Sequence, residues 1–168
     1  KMATNLILLE GHGTLRNAVM GPENRKPTDA ELKAMKALLR ADMESGAWGL
    51  SLGLWYAPGV SAEQDELNEL DAVVAPYGGL VTAHMRSQGA RTPQSLEEMY
   101  AIYRHSGVQI HISHFKASGR ENWGKAPEFI EMLRVAQRDG VKVSADVYPY
   151  RASASGITNS FPAWAIQG

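Results

Sequence analysis

The chain alternates short apolar runs with amphipathic segments, and this alternation constrains its fold more than any other feature. Each amphipathic segment has helical periodicity and ends in glycine, after which the next apolar run begins. Strands that alternate with helices form a parallel sheet with right-handed crossovers. We therefore predict an α/β fold with strands at residues 6–9, 48–52, 80–83, 108–112 and 141–147.

Local signals predict where the intervening helices begin. Thr28 with Glu31, and Ser61 with Gln64, have the spacing of a capping box, and Pro127 suits the first turn of the last helix. A closed (β/α)8 barrel takes about 250 residues, whereas this chain of 168 residues holds about four to five βα units. The chain is either a short open sheet or part of a TIM-like barrel. We favour the second, with residues 1–168 as the central portion of one partial (β/α)8 barrel domain.

The composition of the chain argues against several classes of binding partner. The formal net charge is −1, which predicts no nucleic-acid partner and no anionic membrane surface. No apolar stretch approaches the ~20 residues of a membrane span. The chain contains no cysteine, which excludes disulfides and thiolate zinc ligands within it and favours a reducing, cytoplasmic location.

Two histidines, His84 and His114, close apolar runs at equivalent points of the repeat. They are separated by about the length of one βαβ unit, roughly 30 residues, so we expect them on neighbouring parallel strands at the same height. Barrel active sites lie at that end of the strands, and neutral imidazole is a common metal ligand. A single strand-end histidine is more simply an ordinary polar residue, but two in register predict a shared metal site.

Other polar residues near these strand ends bear on that site. Strand alternation puts His114 on one face with Ile110 and Ile112, and it directs His111 toward the helical layer in a hydrogen-bonded structural role. A catalytic zinc ion normally has three protein ligands, so two imidazoles are an incomplete set. Asp146, near the next strand end, is a candidate addition.

Cations and aromatic residues accompany the candidate metal site. Arg86 and Lys116 each follow a histidine by two residues, where they either bind a substrate carboxylate or form ordinary loop salt bridges. Trp55 and Tyr56 follow the second apolar run, where they either line the mouth of a substrate site or simply pack.

Three further residues are weaker candidates for a functional role. His12 closes the first apolar run, where a structural or supporting role is the simpler prediction. Ser51 is the centre of a Gly-x-Ser-x-Gly pattern, a serine-hydrolase motif that requires a sharp strand-to-helix turn directly after the serine. A loop containing Pro58 follows instead, which argues against that motif. His105 lies at a predicted helix carboxyl end, where it suits the helix dipole.

Six ordered segments of the chain together resemble one enzyme family, the N-acyl-D-amino-acid deacylases (D-aminoacylases) of the amidohydrolase superfamily. The resemblance covers essentially the whole chain. The segments are GHGTLR (11–16), GLSLGL with Tyr56 and Pro58-Gly59 (49–59), TAHMR (82–86), ISHFK (112–116), NWG (122–124) and DVYPY (146–150).

This resemblance implies a (β/α)8 barrel of the metal-dependent hydrolase type that hydrolyses the amide bond of N-acyl-D-amino acids with zinc as cofactor. It implies that two histidines, His84 and His114, hold the tightly bound zinc. It also implies that Lys116 and Tyr148 bind the carboxylate of the small-molecule substrate, and that an aromatic residue, Tyr56 or Trp55, lies near the substrate side chain.

Parts of the family's machinery have no counterpart in this sequence: a His-x-His pair, a metal-binding cysteine and a catalytic aspartate. The resemblance implies that they lie before Lys1 or after Gly168, so we assign no catalytic residue. We expect the chain on its own to lack activity and to self-associate through open sheet edges. Three alternatives stay open: a cyclic-amide amidohydrolase of the hydantoinase or dihydroorotase type, a serine hydrolase that uses Ser51, and a non-catalytic barrel fragment.

Overall fold

Five parallel strands form one sheet in a computed structural model, which describes residues 3–150, 152–157 and 161. Each strand pairs with the next one along the chain, as in an arc of a (β/α)8 barrel. This order confirms the predicted α/β class and partial barrel. The strands are β1 (Glu10–Gly11), β2 (Gly49–Gly53), β3 (Leu80–His84), β4 (Gln109–Ile112) and β5 (Val143–Ala145).

Helices connect the strands, and each helix packs against the next one along the chain. Their apolar sides and one face of the sheet enclose a single hydrophobic core. Within the described residues, no helix has the length and hydropathy needed to span a bilayer. The helices are α1 (His12–Met20), α2 (Asp29–Glu44), α3 (Gln64–Val74), α4 (Thr92–Ser106) and α5 (Ala126–Arg138), with short 3-10 turns at Gly59–Ser61, Ala75–Tyr77 and Arg120–Asn122.

One of the two predicted capping boxes is present. The Thr28 side chain accepts a hydrogen bond from the Glu31 amide at the start of α2, and the Glu31 carboxylate accepts one from the Thr28 amide at 2.7 Å. The prediction for Ser61 is wrong, because that residue ends a 3-10 turn and α3 begins after Glu63 without a side-chain cap. The helix α5 starts one residue before Pro127, which lies in its first turn.

The amino-terminal part of the described chain departs most from prediction. The apolar run at residues 6–9 is not an assigned strand, and Leu6 and Leu8 are exposed. The Leu8 carbonyl accepts a hydrogen bond at 2.8 Å from the amide of Trp48, the residue just before β2. The helix α1 follows β1 directly and was not predicted, because its N-cap, Gly11, offers no side-chain capping group.

The two faces of the sheet differ in polarity. Ile110 and Ile112 are fully buried in the core against the helices. The alternate positions Ser51, Thr82, His111 and Ser144 are in register across four strands and are only partly buried, on the opposite face. The predicted orientation of His111 toward the helical layer is therefore wrong, because the strand presents Ile110 and Ile112 to that layer instead.

Candidate functional site

The rings of His84 and His114 lie side by side at the carboxyl end of the sheet. His84 is the last residue of β3, and His114 lies in the turn just after β4. Their ring centroids are 4.4 Å apart, with the planes inclined at 75°. The sequence predicted this juxtaposition from the length of the repeat alone.

The surroundings of the pair favour neutral imidazoles. Burial lowers the pKa of His84 to about 4, with further contributions from His114 and Lys116. Burial also lowers the pKa of His114, aided by Lys116 and opposed by Asp146. Both rings are therefore uncharged near neutral pH, which is the form of imidazole that binds a metal ion.

The backbone at His114 adopts a left-handed conformation with φ +44°, the only positive φ among the non-glycine residues described. Such a conformation is uncommon outside glycine and marks local strain. It interrupts the alternation of β4, so His114 does not follow Ile110 and Ile112 into the core. Its ring instead lies beside His84.

Asp146 holds this turn in place. One carboxylate oxygen accepts a hydrogen bond from the His114 amide, and the other lies 2.9 Å from His111 Nε2. The Asp146 carbonyl also accepts a hydrogen bond from the Phe115 amide at 2.8 Å. Contact with His111 is the main cause that lowers the pKa of Asp146, so this residue is an anion near neutral pH.

These contacts argue against Asp146 as a third metal ligand in this arrangement, because both of its carboxylate oxygens already have partners. Among the described residues, no three His, Cys, Asp or Glu side chains are grouped to hold an ion. His111 has the hydrogen-bonded role that the sequence predicted, with its second ring nitrogen 2.9 Å from Ser144 Oγ.

Lys116 lies directly beside the histidine pair. Its Nζ donates hydrogen bonds to the His114 carbonyl at 2.9 Å and to Gln88 Oε1 at 2.5 Å. The same ammonium group is 5.1 Å from the centroid of the Tyr148 ring, within cation–π range. Lys116 and Tyr148, which were predicted to share a substrate site, are therefore neighbours.

A cavity of about 1070 Å³ opens over these side chains. Trp55 and Tyr56 form part of its wall, and the Tyr56 ring meets His84 edge-on with centroids 5.4 Å apart. The aromatic residues thus line a pocket, as one of the two sequence interpretations proposed. The predicted residues that line it are His84, His114, Lys116, Tyr148, Tyr56 and Trp55.

Gln88 also lines this cavity, and sequence reasoning missed it. Its side-chain nitrogen lies 2.9 Å from His114 Nδ1 and donates to the Ser113 carbonyl at 3.1 Å. A single glutamine in a loop belongs to none of the motifs recognised in the sequence. Only its position between two loops reveals these contacts.

Arg86 does not line this cavity within the part of the chain that the structure describes. Its guanidinium donates to Glu98 at 2.8 Å and to the carbonyls of Val60 and Ala62. These contacts agree with the alternative interpretation, a salt bridge, here to a residue of α4, and the described geometry gives no support to substrate binding by Arg86.

The remaining candidates lie outside the pocket. His12 is fully buried, with Nε2 2.8 Å from a Glu66 carboxylate oxygen, in a structural role. Ser51 lies in the middle of β2, which continues to Gly53, so the sharp turn of a serine-hydrolase motif is absent there. His105 is exposed in the last turn of α4, as predicted.

Comparison with known proteins confirms the resemblance that the ordered motifs predicted, although no family model matches the chain. The N-acyl-D-glutamate deacylase of Alcaligenes xylosoxydans xylosoxydans is 38% identical over 90% of this chain. The D-aminoacylase of the same organism is 37% identical over 91% of the chain. The chain spans only 31% of the length of either relative.

Solved structures agree with these sequence matches. The N-acyl-D-glutamate deacylase of Bordetella bronchiseptica, complexed with zinc and a phosphonate mimic of the tetrahedral intermediate, superposes with a TM-score of 0.83 at 38% identity. A D-aminoacylase studied for its binuclear metal centre gives a TM-score of 0.85 at 37% identity. Matches to these two structures cover 87% and 88% of this chain and 31% of each solved chain. The L-hydantoinase of Arthrobacter aurescens, at 14% identity and a TM-score of 0.51 over 74% of this chain and 31% of its own, shares the fold alone.

Proposed function

We propose, from the resemblance of this chain to the N-acyl-D-amino-acid deacylases, that residues 1–168 form the central portion of a zinc-dependent amidohydrolase barrel. The proposed reaction is hydrolysis of the linear amide bond of an N-acyl-D-amino acid, which releases a D-amino acid and a carboxylate. The observation that carries this proposal is the pairing of His84 and His114 in one cavity with Lys116.

The donors in this cavity fit a zinc ion. Two neutral imidazoles are suitable ligands. Gln88 contacts Nδ1 of His114, so Nε2 is the nitrogen that would bind an ion, once the ring proton has moved from Nε2 to Nδ1. Segments beyond this chain would have to supply the remaining ligands. The chemistry that a bound zinc ion supplies is Lewis acidity, which polarises the amide carbonyl and activates water.

The residues beside the histidines suit the recognition of an amino-acid substrate. The Lys116 ammonium is a point charge that can bind the substrate carboxylate, and Tyr148 lies against it. Tyr56, edge-on to His84, provides an apolar surface for the substrate side chain. Together these side chains hold the carboxylate and the side chain of the substrate at fixed positions relative to the histidine pair.

A substrate panel tests the proposed reaction. We expect the full-length protein to hydrolyse N-acyl-D-amino acids, measured as release of the free amine, and to leave hydantoins and dihydroorotate intact. Preferential hydrolysis of the cyclic amides would instead support the hydantoinase or dihydroorotase alternative.

Metal analysis tests the proposed ligands. We expect His84→Ala in the full-length protein to abolish zinc retention, because one of the two imidazoles is removed. The matched control is His105→Ala, which changes an exposed histidine outside the pocket and should leave the zinc content at the wild-type value. Wild-type zinc content and turnover in His84→Ala would refute the assignment.

A further inference from the structure

We propose that Gln88 is a positioning residue that couples the proposed metal ligand His114 to the proposed substrate-binding Lys116. This inference rests on the proposed function and deepens it. It assigns to one neutral side chain both the orientation of the imidazole and the placement of the ammonium group.

The contacts of Gln88 are those of a bridge between two loops. The residue follows β3 and is only 6% exposed although it is polar. Its carboxamide reaches the segment after β4, where it meets the Ser113 carbonyl, His114 Nδ1 and Lys116 Nζ. The Ser118 amide donates to the Gln88 carbonyl at 2.7 Å, so the backbones of the two loops are also joined.

The Gln88 carboxamide is a suitable hydrogen-bond partner for the His114 imidazole. In the structure the carboxamide nitrogen faces Nδ1 of His114, which accepts the hydrogen bond. When Nε2 of the ring binds a metal ion, Nδ1 carries the proton. The carboxamide oxygen has two lone pairs, so it can then accept from both Nδ1 and Lys116 Nζ, which lie 3.4 Å apart. A histidine that binds a metal ion normally uses its other ring nitrogen to bond a neighbouring group, which fixes the orientation of the ring. Gln88 occupies that position for His114.

Because the Gln88 side chain is uncharged, it leaves the positive charge of Lys116 available to a substrate. Its Oε1 accepts a hydrogen bond from Lys116 Nζ and thereby orients the ammonium without neutralising it. A carboxylate at the same place would form an ion pair with Lys116. It would then compete with the carboxylate of the substrate for the same charge.

Two substitutions in the full-length protein separate these contributions. In Gln88→Glu we expect KM for an N-acyl-D-amino acid to rise about tenfold, because the new carboxylate competes for Lys116, while kcat changes less. Gln88→Met keeps the shape but loses the hydrogen bonds, so its zinc affinity should fall roughly 10–100-fold. Zinc affinity is measured on the metal-free protein by competition with a chelator.

Gln94 provides the matched controls, because it is an exposed glutamine on α4. Gln94→Glu and Gln94→Met should have wild-type zinc affinity, KM and kcat. The proposal is overturned if the Gln88 variants behave like these controls, or if they lower only the melting temperature. If the wild-type protein binds zinc but hydrolyses no member of the panel, the proposed function fails, and the zinc affinity of Gln88→Met still decides whether Gln88 supports His114.

Discussion

At the scale of single residues, the site depends on an energetically unfavourable backbone conformation. His114 adopts a positive φ that most side chains avoid, and its amide is bonded to the carboxylate of Asp146. A hydrogen bond from the amide to this carboxylate stabilises the turn against local backbone strain, which is typically about 1–3 kcal/mol. Asp146 therefore supports the site without contacting a ligand itself.

Substitution of Asp146 tests this role. We expect Asp146→Ala in the full-length protein to lower zinc affinity roughly 10–100-fold, because the turn that presents His114 loses its partner. Asp146→Asn should lower the zinc affinity less, since its side-chain oxygen can still accept the hydrogen bond from the His114 amide. The control is Ser144→Ala, which removes a contact to His111 and leaves the His114 amide bonded. Chelator competition measures the zinc affinity of each variant. An equal loss of zinc affinity in Asp146→Ala and Ser144→Ala would contradict the prediction.

Asp71, on α3, is a second unusual residue. It is fully buried, and neither carboxylate oxygen has a hydrogen-bond partner within the described residues. Burial raises the pKa of Asp71 well above its ordinary value. A carboxyl group whose folded-state pKa exceeds its unfolded pKa of about 3.9 favours the folded state at low pH. That contribution is lost as the pH rises through the raised pKa.

Asp71→Asn should therefore raise the free energy of unfolding at alkaline pH and flatten its dependence on pH, because the buried group can no longer ionise. The measurement is urea unfolding of the full-length protein across a pH series. The matched control is Asp65→Asn, which alters an exposed carboxylate of the same helix and should keep the wild-type pH dependence. A pH dependence in Asp71→Asn as steep as that of the wild type would exclude ionisation of Asp71 as its cause.

At the scale of secondary-structure elements, a buried ionic cluster joins α1 to α3. Glu66 on α3 accepts hydrogen bonds from Arg16 at 2.6 and 2.7 Å and lies 2.8 Å from His12 Nε2. Burial alone would raise the pKa of Glu66, but the contacts with His12 and Arg16 outweigh it and lower the pKa overall. The helix α1, which lacks a side-chain cap, is thus held by tertiary contacts.

Substitution of Glu66 should strongly destabilise the folded protein. We expect Glu66→Gln in the full-length protein to lower the free energy of unfolding by about 3–5 kcal/mol near neutral pH, because Arg16 stays buried without its counter-ion. Since the folded-state pKa of Glu66 is lowered, the difference should shrink as the pH falls through that pKa. Urea unfolding measures both effects.

Glu63→Gln is the matched control for this change. Glu63 forms an exposed ion pair with Lys26 just before α3, so its loss should leave the free energy of unfolding nearly unchanged. A similar loss of stability in the two variants would contradict a special role for the buried cluster.

At the scale of the whole molecule, the described sheet is covered by helices on one face, and its opposite face carries partly exposed polar residues. β1 and β5 are its outer strands, each with a single strand partner in the region described. Trp48 is 61% exposed, and Leu6 and Leu8, whose carbonyl bonds the Trp48 amide, are exposed as well. Unpaired strand edges and exposed apolar side chains favour association with other chains.

The chain of residues 1–168, expressed alone, should therefore self-associate and fail to retain zinc. Two neutral imidazoles are fewer than the three protein ligands of a catalytic zinc site. Sedimentation velocity measures the association, and metal analysis measures the zinc, each against the full-length protein. A monomer that retains one zinc ion per chain would contradict both parts of the prediction.

The sequence by itself determined the α/β alternation, the pairing of His84 with His114 and the start of α2. These features follow from periodicity, repeat length and local capping, which are properties of neighbouring residues. Only the tertiary structure decided that His111 faces away from the helices, that Arg86 binds a loop, and that Gln88 joins two site residues. The orientation of His111 depends on which face of β4 packs against the helices. The contacts of Arg86 and Gln88 join segments that are distant in sequence, which no local pattern encodes.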